Sequence, residues 1–261
     1  MDLALDALPE RTIQLIAWVS HHLPLEDGTL VGGAEMTDQK LLSIAPEEVE
    51  VFSPQNWQEA MECEKIIITG TDLLSDEAMA ELATKNPVVA VHHKQTRSQA
   101  RAELIGSASM FICRSPRHLE IELEWTSPKA SSWVSAPLDS SELQPAKKKE
   151  EYALWAARLH QQKGPNEAME WAQQNKVPLL MMHNKERSVV LEAMSRARYF
   201  VFLPNDFDAE PRAVIEAVMS GCEIITNDNA GVSSIPDWRN PDTLRFLVES
   251  AGSRFWEMAL K

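Results

Sequence analysis

Several features that define common protein classes are scarce or absent in this 261-residue sequence. Its three cysteines are too few for a disulfide framework or a four-thiolate zinc site and indicate a reducing compartment. No run approaches the roughly 18 apolar residues of a membrane span, and Met1–Arg11 lacks the basic start and apolar core of a signal peptide. We therefore expect a cytoplasmic protein without an integral membrane segment. The nine glycines include no GxGxxG or Walker A pattern, which disfavours a dinucleotide-dependent oxidoreductase.

Basic side chains are also scarce, with 25 against 39 acidic ones and a formal net charge of −14. This balance disfavours a generic nucleic-acid coat. The excess of acidic residues lies mostly in the first half of the chain. Residues 1–140 hold 22 acidic and 10 basic side chains, whereas residues 141–261 hold 17 acidic and 15 basic ones. A hydrophobic fraction of 44% excludes wholesale disorder. The two halves therefore look like different folded units.

Short apolar runs alternate with helical patterns along most of the chain. The alternation breaks at 126–149, which is rich in Ser, Pro and Lys and is interpreted as a linker. Alternating strands and helices predict an α/β fold of two doubly wound parallel sheets. The predicted domains are 1–140 and 141–261, with the last helix free to pack back on the first domain. Strands are predicted at 13–19, 49–52, 65–69, 87–91, 110–113, 152–157, 178–182, 199–203 and 223–226. Helices are predicted at 33–45, 56–63, 75–85, 95–105, 116–125, 165–175, 185–197, 211–220 and 241–260.

Two turns carry residues suited to holding an anion. Gly32 and Gly33 precede the first helix, where free N–H groups and the absence of Cβ atoms favour a bound anion. An ordinary strand-to-helix turn explains the same glycines. Arg158 and Lys163 follow the first strand of the second half and precede a helix, which is the arrangement of a diphosphate clamp or of a solvated basic turn.

Two further segments place chemistry-bearing residues near strand or helix ends. Glu216 falls among apolar neighbours of a helix, where a carboxylate needs a partner such as a ribose diol, although a surface position is the commoner fate of a glutamate. His92 and His93 end a predicted strand, at the edge where ligands bind in such sheets. Adjacent strand residues point oppositely, so a metal site is not predicted. A capping histidine is the alternative.

Three of these segments together resemble a known enzyme family. The chain resembles retaining GT-B glycosyltransferases, and specifically the glycosyltransferase family 4 (group 1) type, over essentially its whole length. The resemblance rests on Gly32-Gly33-Ala34-Glu35, on Ala157-Arg158-Leu159 with Lys163-Gly164, and on Ile215-Glu216-Ala217-Val218-Met219-Ser220-Gly221. It implies two Rossmann-like domains that face a cleft, the first for the acceptor and the second for a nucleotide-sugar donor.

The resemblance also implies roles for individual residues. Gly32, Gly33, Arg158 and Lys163 would hold the donor diphosphate, and Glu216 the nucleotide ribose. His92, with Asp208 or Glu210, would contact the donor sugar. The implied reaction transfers a hexose from a UDP- or GDP-sugar with retention and requires no metal or other cofactor.

The chain departs from the family pattern in three places. The first acidic position is Asp208, one methylene shorter than the usual glutamate, and Glu210 is the alternative residue for its role. Pro211 lacks the N–H that a glycine would supply there. The second half also lacks one strand and helix before 199–203, so the chain resembles a minimised member. These departures favour the alternative of a non-catalytic nucleotide-sugar-binding protein.

A local excess of basic residues suggests the class of acceptor. Residues 85–117 carry six basic side chains and only one acidic one, Glu103, inside the acidic half. One interpretation is that these basic residues form a solvated surface without a ligand. The other is a hydroxyl acceptor that is anionic, such as a phosphorylated sugar, a lipid-linked glycan or modified DNA. The residues assigned to this acceptor side are Lys94, Arg97, Arg101 and Arg114.

Overall fold

The structure, a computed structural model, describes residues 15–23, 32–141, 143 and 148–261. The start of the predicted strand 13–19, the segment Met1–Arg11 and most of 142–147 lie outside these residues. Within them, every predicted helix and strand is present, with ends shifted by at most a few residues. The helices are α1 (Gly33–Leu42), α2 (Trp57–Ala60), α3 (Asp76–Ala83), α4 (Gln99–Ser107), α5 (Pro116–Leu123), α6 (Pro165–Asn175), α7 (Arg187–Arg196), α8 (Arg212–Met219) and α9 (Pro241–Ala259).

Two parallel sheets confirm the predicted α/β fold. The strands of the first are β1 (Ile16–Val19), β2 (Val49–Phe52), β3 (Lys65–Ile68), β4 (Val88–Ala90), β5 (Met110–Cys113) and β6 (Ser131–Trp133), in the order β2-β1-β3-β4-β5-β6. Those of the second are β7 (Glu150–Ala156), β8 (Leu179–Met182), β9 (Ala197–Phe202) and β10 (Glu223–Thr226), in the order β10-β9-β7-β8.

Both faces of each sheet are buried, as the alternating helices require. Successive strand residues point to opposite faces, so Ala17 and Val19 join one apolar cluster while Ile16 and Trp18 join another. In the second sheet, Leu154 and Trp155 divide in the same way. Serine caps fix where three helices of the first half begin, because the side chains of Ser75, Ser98 and Ser115 each accept a backbone N–H from the first turn.

The interpretation of 126–149 as a linker is wrong for its central part. Residues 131–133 form the edge strand β6, which pairs in parallel with β5. Three residues, Ser-Ser-Trp, are too short to show a hydrophobic period, so the sequence pattern does not reveal them. The following residues 134–138 are buried between the two halves and are not a solvated connection.

The C-terminal helix α9 contacts both halves of the molecule. Leu244 and Val248 in its first half pack in the core of the second sheet. Phe255 and Trp256, further along, pack against the first sheet, and the Trp256 indole N–H donates to the Leu41 carbonyl at 2.9 Å. None of the helices in the described part of the chain is long and apolar enough to cross a membrane.

Candidate active site

The carboxyl ends of strands from both sheets border one cleft of about 570 Å³. In parallel α/β sheets this edge is where ligands bind. Seven of the twelve residues singled out from the sequence line the cleft: Gly33, His92, Arg114, Arg158, Lys163, Asp208 and Glu210. The other five do not line it: Gly32, Lys94, Arg97, Arg101 and Glu216.

Arg158 follows β7 and lies across the cleft from the first turn of α1. Its Nη2 is 3.8 Å from Glu35 Oε1, and its side chain is 65% exposed, so the guanidinium is accessible to a ligand. Gly32 makes room for it, because a Cβ at that position would collide with the Arg158 guanidinium. Gly32 therefore lets an arginine of the second half approach the helix N-terminus, where N–H groups and the helix dipole favour an anion.

Lys163 is fixed by the turn that follows it. Gly164 adopts a left-handed conformation with φ 67°, and a Cβ there would also collide with the Leu203 carbonyl. The Trp155 indole N–H donates to the Lys163 carbonyl at 3.1 Å. The Lys163 ammonium then donates to Asp208 Oδ2 at 2.6 Å. The loops after β7 and β9 thus bring a cation and a carboxylate to one point of the cleft.

Glu210 faces the first half of the molecule from its place in the cleft wall. Its Oε2 accepts the backbone N–H of Ala136 at 2.6 Å, while its buried Oε1 has no hydrogen-bond partner among the described residues. Burial raises the pKa of Glu210 to about 7, against the opposing effects of the Ala136 hydrogen bond, the Ser135 hydroxyl and the Arg114 charge. Glu210 is therefore partly protonated near neutral pH, unlike an ordinary surface glutamate.

This raised pKa predicts how Glu210 contributes to stability. Between pH 4.5 and about 7 the unfolded chain has ionised Glu210 while the folded protein keeps it protonated. The unfolded state binds fewer protons in this window, so the contribution of Glu210 to the free energy of unfolding falls as pH rises, by about 3 kcal/mol in all. The variant Glu210→Gln lacks this dependence.

The measurement is urea unfolding of wild type and Glu210→Gln at pH 4.5, 5.5, 6.5 and 7.5. Buried His22 and His92, with pKa values lowered to about 3 and about 4, make stability rise with pH over an overlapping range. The quantity to follow is therefore the difference between wild type and variant. A difference that stays constant across the four pH values would contradict the prediction.

Glu216 has a protein partner that the sequence did not reveal. It lies on α8 with its side chain 11% exposed, and its Oε1 accepts from Arg187 Nη2 of α7 at 2.9 Å. Arg187 therefore supplies a partner for this carboxylate within the protein, and the binding of a ribose by Glu216 stays a prediction. Arg212, on the same helix as Glu216, lines the cleft and donates from Nη1 to the Gly33 carbonyl at 3.4 Å.

A buried aspartate organises the wall of the cleft that belongs to the first half. Asp38 is fully buried on α1. Its Oδ2 accepts from the hydroxyls of Ser20 and Thr69 at 2.8 and 2.6 Å, and its Oδ1 lies 2.6 Å from His92 Nε2. Burial opposes its ionisation, but the His92 charge and these hydrogen bonds lower the pKa of Asp38 to about 2. Asp38 is therefore the carboxylate that orients His92.

Both ring nitrogens of His92 are engaged by the protein. Nε2 meets Asp38, and Nδ1 accepts from Arg114 Nε at 3.0 Å. Burial and the nearby Arg114 charge lower the pKa of His92 to about 4, so the ring is neutral at neutral pH. The predicted hydrogen bond from a ring nitrogen to a donor sugar would have to displace one of these partners.

Arg114 binds His92 through Nε only, so its other two guanidinium nitrogens are left for a ligand. It is 2% exposed and lines the cleft, and its Nη1 and Nη2 have no hydrogen-bond partner within the described ranges. Burial lowers its pKa, against the effects of Asp38 and Glu210. A buried guanidinium with two unpaired nitrogens is an efficient bidentate receptor for a planar or tetrahedral anion.

The other residues of the predicted basic segment serve different purposes. Arg101 is 6% exposed and donates to Thr71 Oγ1 at 2.9 Å, which fixes the loop after β3. Arg97 lies 3.0 Å from Glu124 on the exposed surface. Lys94 is exposed and is not part of the cleft lining. The excess of charge in the sequence therefore does not form one basic face on the cleft, because its members are used separately.

Sequence reasoning missed several residues of the cleft. His21 and His22 follow β1, and both line the cleft beside His92 and His93. The rule that ligands bind at strand carboxyl ends would have found them, since they directly follow a predicted strand. Asp38 gave no such signal, because it lies inside a helix and reaches the site only through tertiary packing. Among the described residues, no group of three His, Cys, Asp or Glu could hold a metal ion.

Comparisons with known proteins agree with this geometry at the level of fold. No protein-family model matches the sequence, and no curated protein does either. The structure is similar to sucrose-phosphate synthase from Thermosynechococcus elongatus, with a TM-score of 0.63, 14% identity and coverage of 95% of this chain and 92% of that one. The fold is therefore that of GT-B glycosyltransferases.

Two further similar structures were determined with UDP present. Anabaena Alr3699/HepE in complex with UDP and glucose has a TM-score of 0.57 and 11% identity, with coverage of 94% of this chain and 95% of that chain. An alpha-glucosyltransferase in complex with UDP and a 13-mer DNA that contains an HMU base has a TM-score of 0.53 and 12% identity, with 94% of each chain covered. At these identities the similarity concerns the fold alone.

Proposed function

We propose that this protein is a metal-independent retaining glycosyltransferase that moves a hexose from a UDP- or GDP-sugar to a hydroxyl acceptor. The observation that carries the proposal is the meeting of Arg158, Lys163 and the N-terminus of α1 in one cleft of a GT-B fold. UDP is present in the similar HepE and alpha-glucosyltransferase structures, which supports a nucleotide donor. In this proposal, residues 1–140 form the acceptor domain and 141–261 the donor domain.

The charges in the cleft suit a leaving nucleoside diphosphate. Negative charge develops on the donor phosphate as its bond to the anomeric carbon breaks, and positioned cations stabilise it. Arg158 and Lys163 would supply those cations in place of a metal. Asp208, 2.6 Å from Lys163, would then accept a hydroxyl of the donor sugar, and Glu216 would bind the ribose together with Arg187. The acceptor oxygen attacks from the side on which the phosphate leaves, and that phosphate takes its proton.

Arg114 supports an anionic acceptor. Its unpaired guanidinium nitrogens lie in the cleft wall of the first half, where the acceptor would bind. A buried positive charge without a hydrogen-bonded anion is costly, and a phosphate or carboxylate on the acceptor would satisfy it.

The three free thiols fit a reducing, cytoplasmic location.

The experiment begins without an acceptor. The protein is incubated with UDP-glucose or GDP-mannose in EDTA, and release of UDP or GDP is measured. Transfer is then tested on a hexose phosphate, on a lipid-linked glycan and on DNA that carries a hydroxymethylated base, and the anomeric configuration of the product is read by proton NMR. Nucleotide binding without release or transfer would favour the alternative, a catalytically inactive nucleotide-sugar-binding protein. An inverted anomeric centre or loss of activity in EDTA would contradict the mechanism.

A further inference from the structure

His22 holds a buried nitrogen that the protein does not use. It follows β1, lines the cleft and is 9% exposed. Its Nε2 is buried and has no hydrogen-bond partner in the part of the chain that the structure describes. Its ring centroid lies 3.9 Å from that of His21, 5.4 Å from that of His92 and 6.4 Å from that of His93.

His92 and His93 hydrogen-bond to other groups, and the buried Nδ1 of His21 also has no hydrogen-bond partner among the described residues. The two ring nitrogens of His92 bind Asp38 and Arg114, and Nε2 of His93 lies 2.5 Å from Asp72. An unpaired buried polar group destabilises the folded protein, and in folded proteins such groups are uncommon enough to require an explanation. A ligand atom in the cleft would explain the unpaired Nε2 of His22.

The chemistry of His22 restricts that ligand atom. Burial, then the neighbouring His92 and His21, lower the pKa of His22 to about 3, so its ring is neutral at physiological pH. A neutral imidazole nitrogen accepts or donates one hydrogen bond and does not pair with an anion as a cation would. Arg114, which follows β5 and also lines the cleft, already supplies the cation. The atom that His22 suits is a hydroxyl oxygen.

We propose that His22 is a catalytic residue of the acceptor side, whose Nε2 hydrogen-bonds the attacking hydroxyl. This inference rests on the proposed glycosyl transfer. In that step the acceptor oxygen bonds to the anomeric carbon, the bond from that carbon to the donor phosphate breaks, and the hydroxyl proton passes to the leaving phosphate. His22 is too weak a base to keep the proton, so its role is to hold the oxygen in place for attack. Water takes the place of the acceptor when the donor is hydrolysed.

The test uses hydrolysis, because it needs no identified acceptor. Release of UDP from UDP-glucose and of GDP from GDP-mannose is measured for wild type, His22→Ala, His22→Gln and the control His183→Ala, which alters an exposed histidine outside the cleft lining. We expect His22→Ala to lower kcat by about 10²-fold, the effect of misplacing a reacting group, with KM for the donor and Kd for the nucleotide within twofold. His22→Gln, which keeps a polar atom, and added imidazole in the His22→Ala assay should each restore part of the rate. His183→Ala should match wild type.

Three results would overturn the inference in distinguishable ways. An unchanged kcat in His22→Ala would remove His22 from the reaction. Parallel losses of kcat, nucleotide affinity and melting temperature, with no restoration by imidazole or glutamine, would assign it a structural role only. Wild type that binds UDP or GDP but neither releases it from a sugar nucleotide nor transfers sugar to any of the three acceptors would reject the proposed transfer itself, and the inference with it.

Discussion

Replacing Lys163 with alanine is expected to lower kcat/KM for the nucleotide sugar by about 10²–10³-fold, the usual effect of removing one donor that stabilises developing charge. The Lys163 side chain is 34% exposed, and its backbone is held by the left-handed Gly164 turn. Because the charge on the diphosphate grows as its bond breaks, loss of this cation should lower kcat as well as donor affinity. The measurement is steady-state UDP or GDP release, with Kd for the nucleotide from calorimetry.

Two comparisons separate a catalytic role of Lys163 from a structural one. Lys163 also pairs with Asp208 at 2.6 Å, so its loss could act by freeing that loop. Asp208→Asn removes the ion pair but keeps the ammonium, and should therefore affect nucleotide affinity less than Lys163→Ala does. Lys129→Ala, which alters an exposed lysine bonded to Asn86, serves as the control. Equal nucleotide affinity in wild type and Lys163→Ala would refute the diphosphate role.

Replacing Arg114 with methionine should separate activity from stability. Methionine keeps most of the apolar volume and removes the buried charge, whose Nη1 and Nη2 have no hydrogen-bond partner among residues that the structure describes. Keeping a charge out of water with two unpaired nitrogens is costly, and an apolar side chain of similar volume removes that cost. We therefore expect the melting temperature to stay level or rise, while transfer to an anionic acceptor falls by about 10²-fold or more, in the range measured for truncated buried charge pairs.

Hydrolysis and a neighbouring arginine provide the controls for Arg114→Met. Release of UDP or GDP in the absence of acceptor should change far less than transfer, although His92 loses the Arg114 hydrogen bond. Arg117→Met alters an arginine that is 51% exposed and paired with Glu120, and should leave both rates unchanged. Undiminished transfer by Arg114→Met would exclude it from acceptor binding. A large fall in melting temperature would show instead that the charge supports the fold.

Arg97 and Arg101 are less informative positions than Arg114 for testing an anionic acceptor. The sequence analysis assigned Arg97, Arg101 and Arg114 alike to the binding of an anionic acceptor. In the structure Arg101 is buried and bonded to Thr71, so its replacement would disturb the fold before it informed on the acceptor. Arg97 is paired with Glu124 on the surface, where such pairs contribute little.

Most of the fold was predictable from the sequence because its elements are specified locally. Apolar runs at strands such as Lys65–Ile68 and Met110–Cys113 are each followed by a capping serine, at Ser75 and Ser115. The strand β6 was missed because three residues at a sheet edge carry no period and are held only by pairing with β5. The position of β6 depends on its pairing with β5, and a local sequence pattern contains no information about such pairing.

The sequence by itself determined the alternating α/β order and placed Arg158, Lys163 and Asp208 on loops at strand ends, since turn residues and periodicity act over a few positions. Only the tertiary structure decided which charges remain available. Asp38 is joined to His92, Glu216 to Arg187 and Arg101 to Thr71, each across 29 or more positions. The physical reason is that a charge or polar atom is free or satisfied according to what packs against it, and packing brings together residues that are distant in the chain. Arg114 and His22 stand out for the same reason, because packing buries them in the cleft wall without supplying all of their hydrogen bonds.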